Sequence, residues 1–505
     1  MVNIALISLY GIENSGIRSI SSVLKANGFN PCLIFFKRWM NNDISYPSEN
    51  EKMILISLLE KLKIEVVGLS FTSPFLKIAI GITKMIKERL SIKVVWGGMH
   101  ATARPEECLR YCDAVCRGEG EEAMYELIKE YAKGQPLGEG IKNISYKKEN
   151  EIISGEMRPL IRDLNLLPNQ DYGGDGKFFI EEKLFNIDPL INARELRVFA
   201  SRGCPFSCSY CYNSILKNLY RNEKYHRIKS VENVISEIEY ALSKFKRIRK
   251  IKFDDDTFMF PREWIDEFCA KYNNRIGLPF EILFNAEGMD EKLLINLKNA
   301  GLRRIQVGIQ TGSQKESELI YNRKLPTNKL REFADMSKSL KLGVVYDIIL
   351  DNPLSTFEDK KALINFLLTL PRPFDLFVYS LTLFPGTELC ETLLKKGIIR
   401  PEDVEGEANK SFYQFRLSFS FPRKKEELFV ACIVSLISKS FLPKSFIGLL
   451  SRSDFLKNHP FVLKKFAQIC NLFKLLHILI KMSLRGDMGI WKFKEYGMPK
   501  RFLIQ

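Results

Sequence analysis

The sequence predicts an α/β protein in three parts. A doubly wound, Rossmann-like sheet is expected over residues 1–140, a partial (β/α)6 barrel of TIM type over 196–390, and a mainly helical C-terminal region over 391–505. Three observations carry this. Apolar strand-like runs alternate with amphipathic helical stretches as far as about residue 390, the pattern of parallel sheets joined by crossover helices. Residues 141–195 interrupt the alternation with a β-hairpin and an extended crossing segment, and read as a linker. Beyond 390 the strands stop, and Lys, Phe, Leu and Ile recur at helical spacing, as in 461–482.

A chain of 505 residues is too long for one ordinary core. With 46% hydrophobic and 27% charged residues it has the composition of a globular protein. Its eleven cysteines are irregularly spaced and follow no secretory leader, so a reducing, cytoplasmic setting is expected rather than a disulfide scaffold. No apolar run reaches the ~18–20 residues needed to span a bilayer. The net charge of +16 comes from Lys and Arg spread through most segments, and no nucleic-acid partner is expected. In the C-terminal region Lys464, Lys465, Lys474 and Lys481 sit among large apolar residues. A packed amphipathic helix capping the barrel is the default there, and peripheral contact with a membrane surface is the alternative.

In the first part, strands are expected at 3–9, 31–36, 66–71, 93–98 and 114–116, with helices at 17–26, 51–63, 75–90, 105–111 and 121–132. Ligands of such sheets sit at the carboxyl ends of the strands. Those ends carry Ser70, Thr72, Gly97, Gly98 and the run Gly118-Glu119-Gly120-Glu121. Cys108, Cys112 and Cys116 have a tempting spacing, but Cys116 falls in the next strand and all three read as core. His100 reads as a hydrogen-bonding loop residue.

In the second part, strands are expected at 196–200, 250–254, 280–285, 304–310, 343–350 and 376–383, and helices at 231–245, 262–272, 290–300, 328–340 and 357–370. The carboxyl ends, where barrels keep their function, are polar: Asp254-Asp255-Asp256, Asn285, Gln310, Asp347, Asp351, and Pro385-Gly386-Thr387. Three adjacent carboxylates are costly unless they face solvent, a cation or hydrogen-bond donors.

After the first barrel strand comes Arg202-Gly203-Cys204-Pro205-Phe206-Ser207-Cys208-Ser209-Tyr210-Cys211, a C-x-x-x-C-x-x-C loop. Clustered thiolates are soft donors suited to an iron–sulfur cluster. A 4Fe–4S cluster takes four protein thiolates when fully ligated, and the next cysteine is Cys269, so one iron would stay open. Structural zinc, with His226 as a fourth ligand, and three buried free thiols are the competing readings.

This loop, with Tyr210 before its third cysteine, resembles the signature of the radical S-adenosylmethionine (SAM) superfamily. Gly97-Gly98-Met99-His100 with the Gly-Glu-Gly-Glu run resembles the cobalamin-binding domain that precedes many such cores. Gly308-Ile309-Gln310-Thr311-Gly312 resembles a fourth-strand motif more usually written Gly-Ile-Glu-Ser-Gly. The resemblance implies a cluster on Cys204, Cys208 and Cys211, with SAM on its open iron near Tyr210, the Asp254–256 run and Gln310. It also implies cobalamin along Ser70, Thr72, Gly97, Gly98 and Glu119. One departure is that the Asp-x-His-x-x-Gly motif, which supplies an axial histidine in many cobalamin proteins, is absent from residues 11–16.

The function so implied is a cobalamin-dependent methyltransferase acting on an unactivated carbon. An electron from the cluster cleaves SAM to methionine and a deoxyadenosyl radical, which takes a substrate hydrogen before methylcobalamin delivers the methyl group. A radical oxidative cyclase or rearrangement enzyme is the alternative within the class, and a non-catalytic corrinoid or iron–sulfur binder the alternative outside it. Expected partners are a small-molecule, lipid or natural-product substrate and an external electron donor such as flavodoxin or ferredoxin.

Overall fold

The structure is a computed structural model that describes residues 2–39, 46–149, 151–324, 326–404 and 423–484. The parts of the helical C-terminal expectation at 405–422 and 485–505 lie outside the described residues.

The first sheet is built on β1 (Ile4–Leu9), every residue of which is buried. It lies between β2 (Cys32–Phe36) and β3 (Val66–Ser70), both parallel to it. β4 (Lys93–Gly97) and β5 (Ala114–Cys116) follow on the β3 side. Strands buried on both faces need continuous apolar runs, and Ile-Ala-Leu-Ile-Ser-Leu supplies one. Its even positions, such as Leu6, enter one core with Leu33, Phe35 and Val95, and its odd positions, such as Ile7, enter another with Ile34, Phe36 and Val94. The strand order reverses between β1 and β3, so a crevice opens at their carboxyl ends. Asn14 caps the helix Ser15–Ala26 there, accepting from Ile17 N at 3.2 Å.

The segment read as a linker is part of this sheet. β6 (Ile144–Lys148) and β7 (Glu151–Ser154) extend it antiparallel beyond β5. β8 (Lys177–Glu181) pairs parallel with β2 and carries β9 (Lys183–Phe185), which makes nine strands in all. The hairpin was legible, but β8 and β9 were not. They are held by pairing with β2, and the chain around them by tertiary ion pairs, neither of which local pattern reveals. Arg18 makes a bidentate pair with Asp188 at 2.7 and 2.9 Å, and Lys177 reaches Asp171 at 2.8 Å, all buried.

The second sheet has six parallel strands in the order β10 (Glu195–Val198), β13 (Lys250–Phe253), β14 (Phe280–Phe284), β15 (Leu302–Gln310), β16 (Gly343–Leu350) and β17 (Asp375–Ser380). It is the open barrel that the alternation predicted. On β15, Ile305, Val307 and Ile309 are buried in the core. Arg304, Gln306, Gly308 and Gln310 alternate onto the other face. A two-stranded ribbon of β11 (Ser201–Arg202) and β12 (Arg227–Ile228), and the helix Tyr212–Leu219, surround the cysteine loop; neither was anticipated.

At the C-terminus, the helix Lys425–Ile437 is buried from Leu428 to Ile437 and packs against the barrel helix Phe357–Thr369 and the last helix, Pro460–Leu484. Lys360 of the barrel helix reaches Glu426 at 3.0 Å. Lys474 of the last helix reaches Asp375, the first residue of β17, at 2.6 Å. Among the described residues, no helix is long and apolar enough to cross a membrane.

Candidate cofactor cavity

One cavity of about 1240 Å³ lies where the carboxyl ends of the first sheet meet those of the barrel. That exceeds the roughly 300–1,000 Å³ of an ordinary small-molecule site, and it suits more than one bound group.

At the ends of β3 and β4 the sheet side is made of small residues and backbone, with Tyr10, Trp39, Phe71 and Phe75 among the other residues that line it. Ser70, Thr72, Gly97, Gly98 and Glu119, all expected at a ligand site, line it. Gly98 has φ +94°, and a Cβ there would stand 2.5 Å from the Phe71 carbonyl oxygen, so only glycine fits. His100 lies on a short helix rather than in a loop, with its Nδ1 2.9 Å from Ser73 Oγ. Burial, aided by Arg104, pushes its imidazole down to about 4, so it stays neutral.

The barrel side carries most of the ionisable groups. The acidic run divides by the period of an extended chain. Asp254 lines the cavity and pairs with Lys252 at 2.7 Å and Arg197 at 3.2 Å. Asp256 also lines it, open to its water yet deep in the molecule. The surrounding protein pushes its carboxyl up, against a hydrogen bond from Asn213. Asp255 turns the other way and is buried, accepting from Ser201 N at 2.6 Å and Ala200 N at 3.2 Å. Burial raises it to about 7 in spite of those donors. Asp255 therefore fastens the strand that leads to the cysteine loop and does not line the cavity.

Cys204, Cys208 and Cys211 share the loop that closes this side. Cys211 lines the cavity, while Cys204 and Cys208 lie behind it, largely buried. Burial pushes Cys204 up to about 12 and Cys211 to about 11, and the neighbouring Asp256 adds to both. Among the described residues no three His, Cys, Asp or Glu side chains stand in a metal-coordinating group, so the thiols share a loop without converging on a point. Such loops commonly close on the metal they bind. The donor set of three soft thiols beside an open cavity fits a cluster with one iron left for an exchangeable ligand.

The loop is pinned from the far side of the barrel. Ser209 N donates to Tyr321 O at 3.1 Å, Asn322 Nδ2 to Ser207 O at 3.0 Å, and Leu389 N to Ser209 O at 2.9 Å. Tyr210 lines the cavity and packs edge-on against Tyr321, with centroids 5.2 Å apart. At its start Gly203 has φ +81°, and a Cβ would meet Tyr225 O at 2.3 Å. Gln310, expected among the cofactor contacts, ends β15 at φ +68° beside Gly308 and does not line the cavity. Arg323 takes the place next to it. Its Nη2 donates to Gly308 O at 2.6 Å, and its Nη1 stands 3.9 Å from Cys208 Sγ. Sequence reasoning missed Arg323, since only the fold brings it to the loop.

The two sides are joined by ions. Glu119 accepts from Arg202 at 3.0 Å, from both Arg227 Nη atoms at 3.0 Å, and from Ile161 N at 3.0 Å. Glu121, buried, accepts from Arg202 at 2.5 Å and Ser19 at 2.7 Å. Burial would raise the Glu121 carboxyl, but the Arg202 charge and these hydrogen bonds bring it below the usual carboxylate range. The Glu119 carboxylate thus binds the two units together. Cys108 and Cys112 lie in the core on one face of the first sheet and Cys116 on the other, so these three cannot form a common site.

Comparison with known proteins gives the same layout. The B12 binding domain profile matches residues 6–128, and the Radical SAM superfamily profile matches residues 198–367. An uncharacterized methyltransferase of Pyrococcus horikoshii is 27% identical over 358 residues, 68% of this chain and 72% of that protein. The anaerobic magnesium-protoporphyrin IX monomethyl ester cyclase of Rubrivivax gelatinosus is 26% identical over 311 residues; the match covers 60% of this chain but only 52% of the cyclase. Among solved structures, the cobalamin-dependent SAM radical enzyme OxsB shares the fold with TM-score 0.65 and 18% identity, over 95% of this chain and 73% of that one. The radical SAM methyltransferase TsrM of Kitasatospora setae shares it with TM-score 0.63 and 15% identity, over 78% of each chain. With both profiles in order and the cysteine loop at the start of the second, the chain carries a B12-binding domain followed by a radical SAM domain.

Proposed function

We propose that the protein is a cobalamin-dependent radical SAM methyltransferase acting on an unactivated carbon. The single observation that supports this best is the shared cavity, with the cysteine loop on one wall and the glycine-lined sheet ends on the other. When bound, the cluster supplies the electron that cleaves SAM reductively, and cobalamin supplies the methyl group.

The chain's own residues have simpler tasks. Cys204, Cys208 and Cys211 would hold the cluster. Asp254 and Asp256 would receive the ammonium group of SAM, a cation that offsets the cost of keeping two carboxylates in a deep site. Tyr210 and Tyr212 would wall the adenosyl group from water. Ser70, Thr72, Gly97 and Gly98 would admit the nucleotide tail of the corrinoid. Glu119, expected among these contacts, would act through Arg202 and Arg227 by fixing one cofactor site against the other.

An external one-electron donor such as flavodoxin or ferredoxin, a small-molecule, lipid or natural-product substrate, and peripheral contact of the C-terminal helices with a membrane complete the reading. Oxidative cyclisation is the second reading, favoured by the similarity to the Rubrivivax cyclase.

Anaerobic reconstitution with iron, sulfide, cobalamin, SAM and a reductant tests the proposal. Formation of 5′-deoxyadenosine together with S-adenosylhomocysteine is expected. A cluster-loaded protein that makes neither is a binder, and one that makes deoxyadenosine but takes up no corrinoid is a radical enzyme of another kind.

A further inference from the structure

The three cysteine sulfurs face different donors. Phe206 N–H serves Cys204, and the neutral amide of Asn213 stands 3.7 Å from Cys211 Sγ. Among the described residues only Cys208 has a cation within hydrogen-bonding reach, Arg323 Nη1 at 3.9 Å from its sulfur. The fold sets that guanidinium in place. The register between β15 and β16 shifts at Gly308–Gln310. A bulge of this kind leaves a backbone group out of the ladder, and Gly308 O accepts from Arg323 Nη2 at 2.6 Å. Arg323 N donates to Ser317 O at 2.9 Å, and Ser317 Oγ donates to Arg323 O at 2.8 Å.

The charge of Arg323 has no carboxylate to answer it. Among the described residues none stands within ion-pair distance of it; Asp347 feels its field but accepts instead from Gln306. A partly buried cation without an anion is costly. A 4Fe–4S cluster on three thiolates is such an anion, and reduction adds a further negative charge to it. Hydrogen bonds to the sulfurs and the charge beside them tune the potential of a cluster.

We propose that Arg323 is a positioning residue that sets the reduction potential of the cluster through Cys208. Its guanidinium donates to the Cys208 thiolate and favours the charge that arrives with the electron from the external donor. No bond forms or breaks in that step: one electron leaves the donor, one enters the cluster, and no proton moves. The inference rests on the reading of Cys204, Cys208 and Cys211 as cluster ligands, and it needs neither cobalamin nor methyl transfer.

Potentiometric titration of the reconstituted full-length protein tests it, in the absence of SAM, by following the paramagnetic signal of the reduced cluster. Arg323→Gln should lower the equilibrium constant for one-electron reduction at least about tenfold, a fall of about 59 mV in the midpoint. Arg323→Lys keeps the charge and should recover most of that fall. A midpoint does not depend on how much cluster loads, so the readout survives a partial loss of iron. A midpoint in Arg323→Gln that is unchanged or higher, or a fall that Arg323→Lys does not recover, would overturn the proposal. So would a variant in which only SAM binding weakens. Wild-type protein that assembles no cluster would overturn the ligand reading and this proposal with it, whereas a loaded wild type beside an unmoved variant overturns this proposal alone.

Discussion

The two walls of the cavity are built on opposite principles. At its strand ends the sheet wall is defined by what is missing: no side chain at Gly97 or Gly98, and a neutral His100 close behind them. The barrel wall is crowded with thiols, carboxylates and guanidinium groups, among them Asp254 held by Arg197 and Cys208 beside Arg323. The first arrangement admits a large group by shape, and the second holds a reactive one by charge. A site that has to present two cofactors to each other needs both, and it needs the walls fixed. That third task falls to Glu119, Glu121, Arg202 and Arg227.

The contrast can be broken from either side. On the barrel wall, Cys208→Ala should abolish cluster assembly while Cys112→Ala leaves iron content nearly unchanged; iron and sulfide analysis of oxygen-free protein separates them. At the junction, Glu119→Ala leaves Arg227 without its carboxylate and Arg202 with Glu121 alone. Breaking one partner of a buried ion pair costs on the order of 3–5 kcal/mol, read as a fall in the denaturation midpoint. On the sheet wall, Gly98→Ala should cost about 1–3 kcal/mol from its backbone conformation and clash, and should lower corrinoid uptake while sparing iron.

An effect seen only in the pH dependence concerns Asp347 on the barrel strands, which Gln306 Nε2 contacts at 2.8 and 3.0 Å. Burial raises its carboxyl to about 7. A raised acid binds its proton more tightly in the folded state, so its contribution is fully present below about pH 4 and is lost as pH rises towards 7. Asp347→Asn should therefore flatten the decline of stability between those values, by up to about 2–4 kcal/mol at pH 7. Thermal midpoints measured across that range check it, and an unchanged slope would place the titration elsewhere.

The cysteine loop was legible because its chemistry is local: three thiols on eight residues need no fold to be recognised as ligands. The inner strands of the first sheet were legible because burial on both faces writes itself as continuous apolar sequence, and those of the barrel because buried positions alternate along them. β8 and β9 were hidden because their hold is a ladder on the distant β2, and the chain after them is tied down by Arg18–Asp188, a pair 170 residues apart. Arg323, which stands beside Cys208 from 115 residues away, was hidden for the same reason. Asp255 is different. The alternation of an extended chain separates it from Asp254 and Asp256, and that signal was present in the sequence.

The central claim is that one cavity holds cluster and corrinoid face to face. Electron paramagnetic resonance of the cob(II)alamin signal tests it most directly, in protein carrying both groups, with the cluster oxidised and then reduced. Two paramagnets in a single cavity must feel each other, so the cobalt signal should relax faster once the cluster is reduced. A cobalt signal indifferent to the state of the cluster would contradict the account.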